Sequence, residues 1–238
     1  MLELVDGLRL EGDLDGDGVP EAVALLASSE GGSGTFVHLA VVARRGRDVS
    51  GVAAARVGDR VQVRAGAIEH ERIVLDLLEP GPHDAACCPT EKARRSWLLE
   101  GRRLREVDAQ TLGPISVLDL VGREWVLRGF DGDSAPPTPE VTLTFETERI
   151  SGHAGCNRYF AALVPAGDRP TDLSFGPIGA TRMACPEPAL SLERRYLDAL
   201  GAVDGFGFTP GRLLLRWVRG ETRGVLSLEA RMQPSGST

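Results

Sequence analysis

The chain has 238 residues, room for one large domain or two small ones. Its 42% hydrophobic and 26% charged residues form an ordinary globular balance that excludes general disorder, and a formal charge of −7 argues against a general nucleic-acid binder. Abundant glycine (29) and proline (15) without a collagen-like period point to many turns and short strands.

Met1 to Gly7 lacks a charged leader followed by an apolar stretch. That leaves a cytoplasmic protein, or an exported one whose leader lies outside this sequence. Glu11 to Glu21 is a polar loop punctuated by glycine, and Ala22 to Leu26 reads as a short buried strand. Gly31 to Gly34 is a turn, Phe36 to Ala43 a second strand, and Arg44 to Asp48 a charged turn. Val61 and Val63, then Ile73, Leu75 and Leu77, mark further sheet strands. Gly81 to Thr90 is a loop holding two cysteines. Ser96 to Leu99 and Arg102 to Val107 form a hairpin around Glu100-Gly101. Arg94, Arg95, Arg102, Arg103 and Arg105 read as a solvated strand pair with acidic neighbours, or as a patch for an acidic partner.

Asp108 to Pro114 is polar, ends in Gly-Pro, and reads as a linker. Beyond it, Trp125 to Leu127 is a strand and Ser134 to Pro139 a loop. Val141, Leu143 and Phe145 alternate with threonines as half-buried strand residues do. Ile150 to Phe160 is glycine-interrupted. Leu190 to Leu200 is the clearest helix, with Ser191 near its start. Leu190, Leu192, Tyr196, Leu197 and Leu200 lie near one face, and Glu193, Arg194, Arg195 and Asp198 mostly opposite. Leu213 to Val218 and Val225 to Met232 close the chain as a hairpin around Gly220. The fold class is mainly β (α+β): two small antiparallel β modules, with an N-terminal domain over 1–112 and a second over 115–235 carrying one packed helix. No apolar run reaches the roughly 18 residues of a membrane-spanning helix.

Asp13-x-Asp15-x-Asp17-Gly18-x-Pro20-Glu21 is the leading candidate site. Calcium takes six to eight hard oxygen ligands on a tightly turning loop. Asp13, Asp15, Asp17, the carbonyl of Val19, and Glu21 stand at relative positions 1, 3, 5, 7 and 9. The spacing resembles the calcium loops of FG-GAP and dockerin-like repeats. Ala24 stands where an EF-hand carries its bidentate glutamate, so the loop is not an EF-hand. Asp-Gly pairs also turn the chain without metal, and both readings stand at this point. Adjacent Cys87 and Cys88 offer three readings: ordinary thiols, a vicinal disulfide, or a metal site with His83. No Gly-x-Ser-x-Gly, His-Glu-x-x-His or phosphate loop is present, so no enzyme is expected.

The second half resembles the META domain (HslJ-like) family. The resemblance rests on Leu120-Val-Gly-Arg-Glu-Trp-Val-Leu127, Val141-Thr-Leu-Thr-Phe145 and Ile150-Ser-Gly-His-Ala-Gly-Cys-Asn-Arg-Tyr-Phe160. It continues through Ile178-Gly-Ala-Thr-Arg-Met-Ala-Cys-Pro186 and the helix bearing Glu193, Tyr196, Leu197 and Leu200. Gly155, Asn157 and Met183 are its signature positions. Ala161 departs from it where the pattern has glycine, which puts the local turn in question. The first half resembles an uncharacterised companion region of such domains in secreted bacterial proteins.

The resemblance implies a small antiparallel β fold with one packed helix. It also implies a bacterial envelope protein, often a lipoprotein, with no established enzymatic activity and with links to stress or antibiotic tolerance. The envelope here means periplasm or cell surface, with a lipid anchor on a full-length precursor. On export, Cys156 and Cys185 would pair and stabilise the fold by roughly 3–4 kcal/mol. The other reading is two buried thiols in contact. The expected function is therefore non-catalytic binding of an envelope component, lipid or peptide. The alternatives are a calcium-dependent interaction module, and a thiol redox or metal-binding protein using Cys87 and Cys88.

Overall fold

Strand-forming runs in the first half are short and joined by tight polar turns, so each strand turns back on its predecessor. The computed structural model describes residues 2–29, 34–45, 48–82, 84–85, 88–133, 136–164 and 166–231. It is mainly β and divides into two units, Met1–Ile115 with Phe208–Gly211, and Ser116–Gly207 with Arg212–Thr238.

In the N-terminal unit, β1 (Leu2–Gly12), β2 (Glu21–Ser28), β3 (Phe36–Arg45) and β4 (Asp48–Asp59) form one antiparallel meander. A second meander comprises β5 (Gln62–Glu69), β6 (Arg72–Glu79), β7 (Glu91–Glu100) and β8 (Arg103–Pro114). Val23, Leu25, Leu39 and Val41 of the first sheet share one core with Val63, Ile73, Leu75, Leu77 and Trp97 of the second. Each sheet therefore turns one face inward, and each large side chain so buried contributes roughly 1.5–3 kcal/mol. On the second sheet's outer face Arg94 pairs with Glu69 at 2.9 Å and Asp76 at 3.2 Å, whereas Arg95, opposite core Leu75, pairs with Glu106 at 2.6 Å and donates to the Val57 carbonyl of the first sheet at 2.6 Å.

The C-terminal unit opens on a single 3-10 turn, Val117–Leu120. Its strands are β9 (Glu124–Phe130), β10 (Val141–Phe145), β11 (Arg149–Ala154), β12 (Arg158–Val164), β13 (Ser174–Phe175) and β14 (Gly179–Ala180). Helix α1 (Ala189–Leu200), β15 (Val203–Thr209), β16 (Arg212–Arg219) and β17 (Thr222–Ala230) follow. They form one sheet in the order β13-β12-β11-β10-β9-β17-β16-β15, with β14 also on β12. First and last strands meet at Trp125 opposite Ala230, which ties the two ends of the unit together. Helix α1 lies against β11 and β16.

Several expectations are corrected. Asp108 to Pro114 is no linker: it is the far half of β8, paired with β7 as far as Glu91 opposite Pro114. Strands β1 and β4 are longer than any stretch read there, because their small, glycine-interrupted and charged residues hide the alternation. Ala161 lies buried inside β12 rather than at a turn. Glu193, placed on the polar face of α1, is 8% exposed and points inward. Ser191 does not cap the helix: the N-cap is Pro188, and Ser191 instead bonds Glu187.

Leu75 is fully buried between the two sheets. Leu75→Ala is expected to cost the N-terminal unit about 2–5 kcal/mol, read from the urea transition of Trp97 fluorescence.

Candidate functional site

The connection from β1 to β2 is the acidic loop. Its aspartates fold it by taking the loop's own N–H groups. Gly16 and Gly18 donate to Asp13 Oδ1 and Oδ2 at 2.7 and 2.9 Å. Asp17 donates to Asp15 Oδ1 at 3.2 Å, and Val19 to Asp17 Oδ1 at 2.7 Å. These closures need left-handed backbone at Gly16 (φ 78°) and Gly18 (φ 84°), which glycine adopts without a Cβ penalty.

Glu21 opens β2 and is only 3% exposed. Its Oε2 accepts the N–H of Leu14 at 2.9 Å, and Leu14 is itself anchored in the core. Buried Leu14 thus pulls the loop down over the Glu21 carboxylate. Ligand atoms of Asp13, Asp15 and Glu21 lie within 4.8 Å of one another. The Asp17 carboxylate is not part of that group, and the Val19 side chain is exposed. Sequence spacing missed Glu71, in the tight turn between β5 and β6. A Cβ built on Gly16 would lie 3.7 Å from Glu71 Oε1. Only the folding of one sheet onto the other brings Glu71 there.

Three clustered carboxylates repel one another unless a positive charge joins them. The donors are all oxygen, which suits a hard cation such as calcium and not zinc or copper, which favour nitrogen and sulfur. A cation held there would be a hard one, with Asp13, Asp15 and Glu21 as its carboxylate ligands.

A second constellation lies in the C-terminal unit. Gly155 (φ 90°) turns the chain out of β11, and Cys156 is disulfide-bonded to Cys185. Asn157 N donates to Glu193 Oε2 at 2.8 Å, and Asn157 Nδ2 donates to both Glu193 oxygens at 3.1 Å. On its other side, Asn157 Oδ1 accepts from Thr181 Oγ1 at 2.7 Å and Met183 N at 2.8 Å. The buried amide thereby joins the turn, the 181–183 segment and helix α1. Tyr159 OH donates to the Thr142 carbonyl at 2.9 Å and lies 2.7 Å from Tyr196 OH. Having spent its one proton on Thr142, Tyr159 must accept from Tyr196. Burial pushes both hydroxyls above the usual tyrosine range, so both stay neutral. His153 Nδ1 accepts Gly155 N at 3.2 Å, a turn-bracing role. Cys87 and His83 lie outside the described residues, and Cys88 is not a free thiol.

One antiparallel sheet with a single helix, clamped by a Gly-Cys-Asn turn, defines the class of this second module. Residues 118–230 match the family model described as META domain, and the C-terminal half is a META domain. The match points to a non-catalytic, envelope-associated family. A solved structure described as "NMR structure of the protein from Burkholderia xenovorans" is 26% identical, covering 54% of this chain and 99% of that one, with a TM-score of 0.39. No curated protein matches. Among the described residues, no helix is long and apolar enough to cross a membrane.

Asn157→Ala would leave the inward-pointing Glu193 carboxylate without its amide donor, and is expected to cost about 3 kcal/mol. Asn157→Asp should cost more, because it sets a second negative charge against the first. Urea titrations followed through Trp125 and Trp217 give the order.

Proposed function

We propose that the chain is a non-catalytic bacterial envelope protein that acts by binding, and that its N-terminal unit is a calcium-dependent interaction module. The observation that carries this is the convergence of Asp13, Asp15 and buried Glu21 within 4.8 Å. A nearly water-free carboxylate beside two aspartates is costly alone and favourable around a divalent cation. Bound calcium would draw the three carboxylates together and stiffen the β1–β2 connection. That would present an ordered loop to an envelope component, lipid or peptide. The Cys156–Cys185 bond supports an oxidising compartment, in keeping with the envelope-associated family of the C-terminal half.

Calorimetry on the whole chain should find one calcium site with a dissociation constant of about 0.1–1 mM, the range of extracellular modules. Asp15→Ala should abolish the heat while leaving the circular dichroism spectrum unchanged. At about 10 mM calcium and a constant near 1 mM, the N-terminal unit should gain about 1.4 kcal/mol, lost again on adding a chelator. Absence of any heat at that concentration would end the calcium reading.

A further inference from the structure

On the outer face of β5–β8 two residues are buried where a wet face would expose them. Ile73, Leu75 and Trp97 belong to the core, so by the period-two rule their neighbours Val74 and Ser96 face out. Yet Val74 is 8% exposed and Ser96 7%. The two stand opposite each other in one row, which Asp108 of β8 continues. Glu69 and Arg72 lie in the row on one side, Asp76 and Arg94 in the row on the other. The long side chains of those flanking rows rise around a low centre. They leave a pocket of about 410 Å³, floored by Val74 and Ser96 and walled by Glu69, His70, Arg72, Arg94 and Asp108. That volume lies in the usual range of small-ligand sites.

The wall is held in place without being used up. Glu69 accepts from Arg94 Nη2 at 2.9 and 3.1 Å, and Arg94 Nη1 donates to Asp76 at 3.2 Å. Asp108 Oδ2 accepts from the Gln110 side-chain amide at 3.0 Å. Among the described residues, the Ser96 hydroxyl meets no hydrogen-bond partner and Arg72 no carboxylate. A hydroxyl more than nine-tenths buried normally has a partner, and this one lies at the floor of an open pocket.

We propose that the pocket binds a short neutral saccharide, held through its hydroxyls by Ser96, Asp108 and Arg72. Charge and polarity select that chemistry. A simple anion would meet Glu69 and Asp108 there, and a cation would meet Arg72 and Arg94. An apolar molecule would strip water from all four without replacing its hydrogen bonds. A sugar hydroxyl both donates and accepts, so it can join a carboxylate to a guanidinium. Val74 offers the small apolar patch on which the C–H face of a sugar ring rests. The site goes beyond the calcium reading and does not use it, since Asp13, Asp15 and Glu21 are not among its lining residues.

The test follows amide shifts of the full isotope-labelled chain, in chelator. Glucose, galactose, mannose, N-acetylglucosamine, maltose and cellobiose are each raised to about 20 mM, a level at which millimolar affinities register. At least one should move the amides of Ser96 and Asp108 saturably. Ser96→Ala should weaken that binding by about fivefold, the usual worth of one hydrogen bond. It should not lower the melting temperature, because the hydroxyl has no partner in the fold to lose. Arg72→Ala, at an exposed position, should weaken binding by about tenfold, and it serves in place of Ser96→Ala if that variant disturbs the sheet. Three results overturn the proposal: none of the six sugars shifts those amides, both variants bind as the parent does, or sodium phosphate shifts them and the sugars do not.

Discussion

A carboxylate taken out of water has to be met by donors or by positive charge, and the C-terminal unit is arranged around one such group. Glu193 projects from helix α1 into the fold, where Asn157 gives it a backbone N–H and the side-chain amide. The same asparagine holds Thr181 and Met183 through its oxygen. One side chain thus fixes three segments that are distant in sequence, and the disulfide beside it locks two of them covalently. The sheet can form without this cluster only at the cost of a buried charge facing nothing.

The N-terminal unit faces the same problem at Glu21 and meets it differently. There the backbone N–H of Leu14 reaches the carboxylate, and ligand oxygens of Asp13 and Asp15 stand within 4.8 Å of it. The contrast between the two buried glutamates is the physical basis for reading one as structural and the other as a cation ligand. Where donors suffice, the charge is a fastener. Where acceptors crowd together, the charge invites an ion.

How much of this is legible in the sequence depends on range. Strands with clean alternation, such as Val141 to Phe145, and the helix after Pro188 stand out because the signal lies within a few residues. The aspartate spacing of the loop is equally local. What spacing cannot show is contact across the fold. Glu71 reaches Gly16 only when one sheet closes on the other, and Glu193 looks like a surface residue until Asn157 is found opposite. Strand β8 hid behind Asp108, Gln110 and the Gly-Pro at its end, which imitate a linker when no partner strand is in view. Strand β2 has a different lesson: Ala22 to Leu26 reads as a buried strand because it is apolar on both sides, yet only one side meets the core.

Tyr159 of β12 crosses one strand, β11, to deliver its proton to the Thr142 carbonyl of β10, and it passes over Gly152 to do so. A Cβ at that glycine would stand 2.1 Å from the carbonyl oxygen and 2.8 Å from the hydroxyl. The bare α-carbon is a window in the middle strand. Over it the helix is moored to β10, by way of Tyr196 and then Tyr159. The mooring is one-directional. Losing the hydroxyl of Tyr196 shortens the line at its free end, whereas losing that of Tyr159, or glazing the window with even a methyl group, cuts it in the middle and strands a polar group on either side.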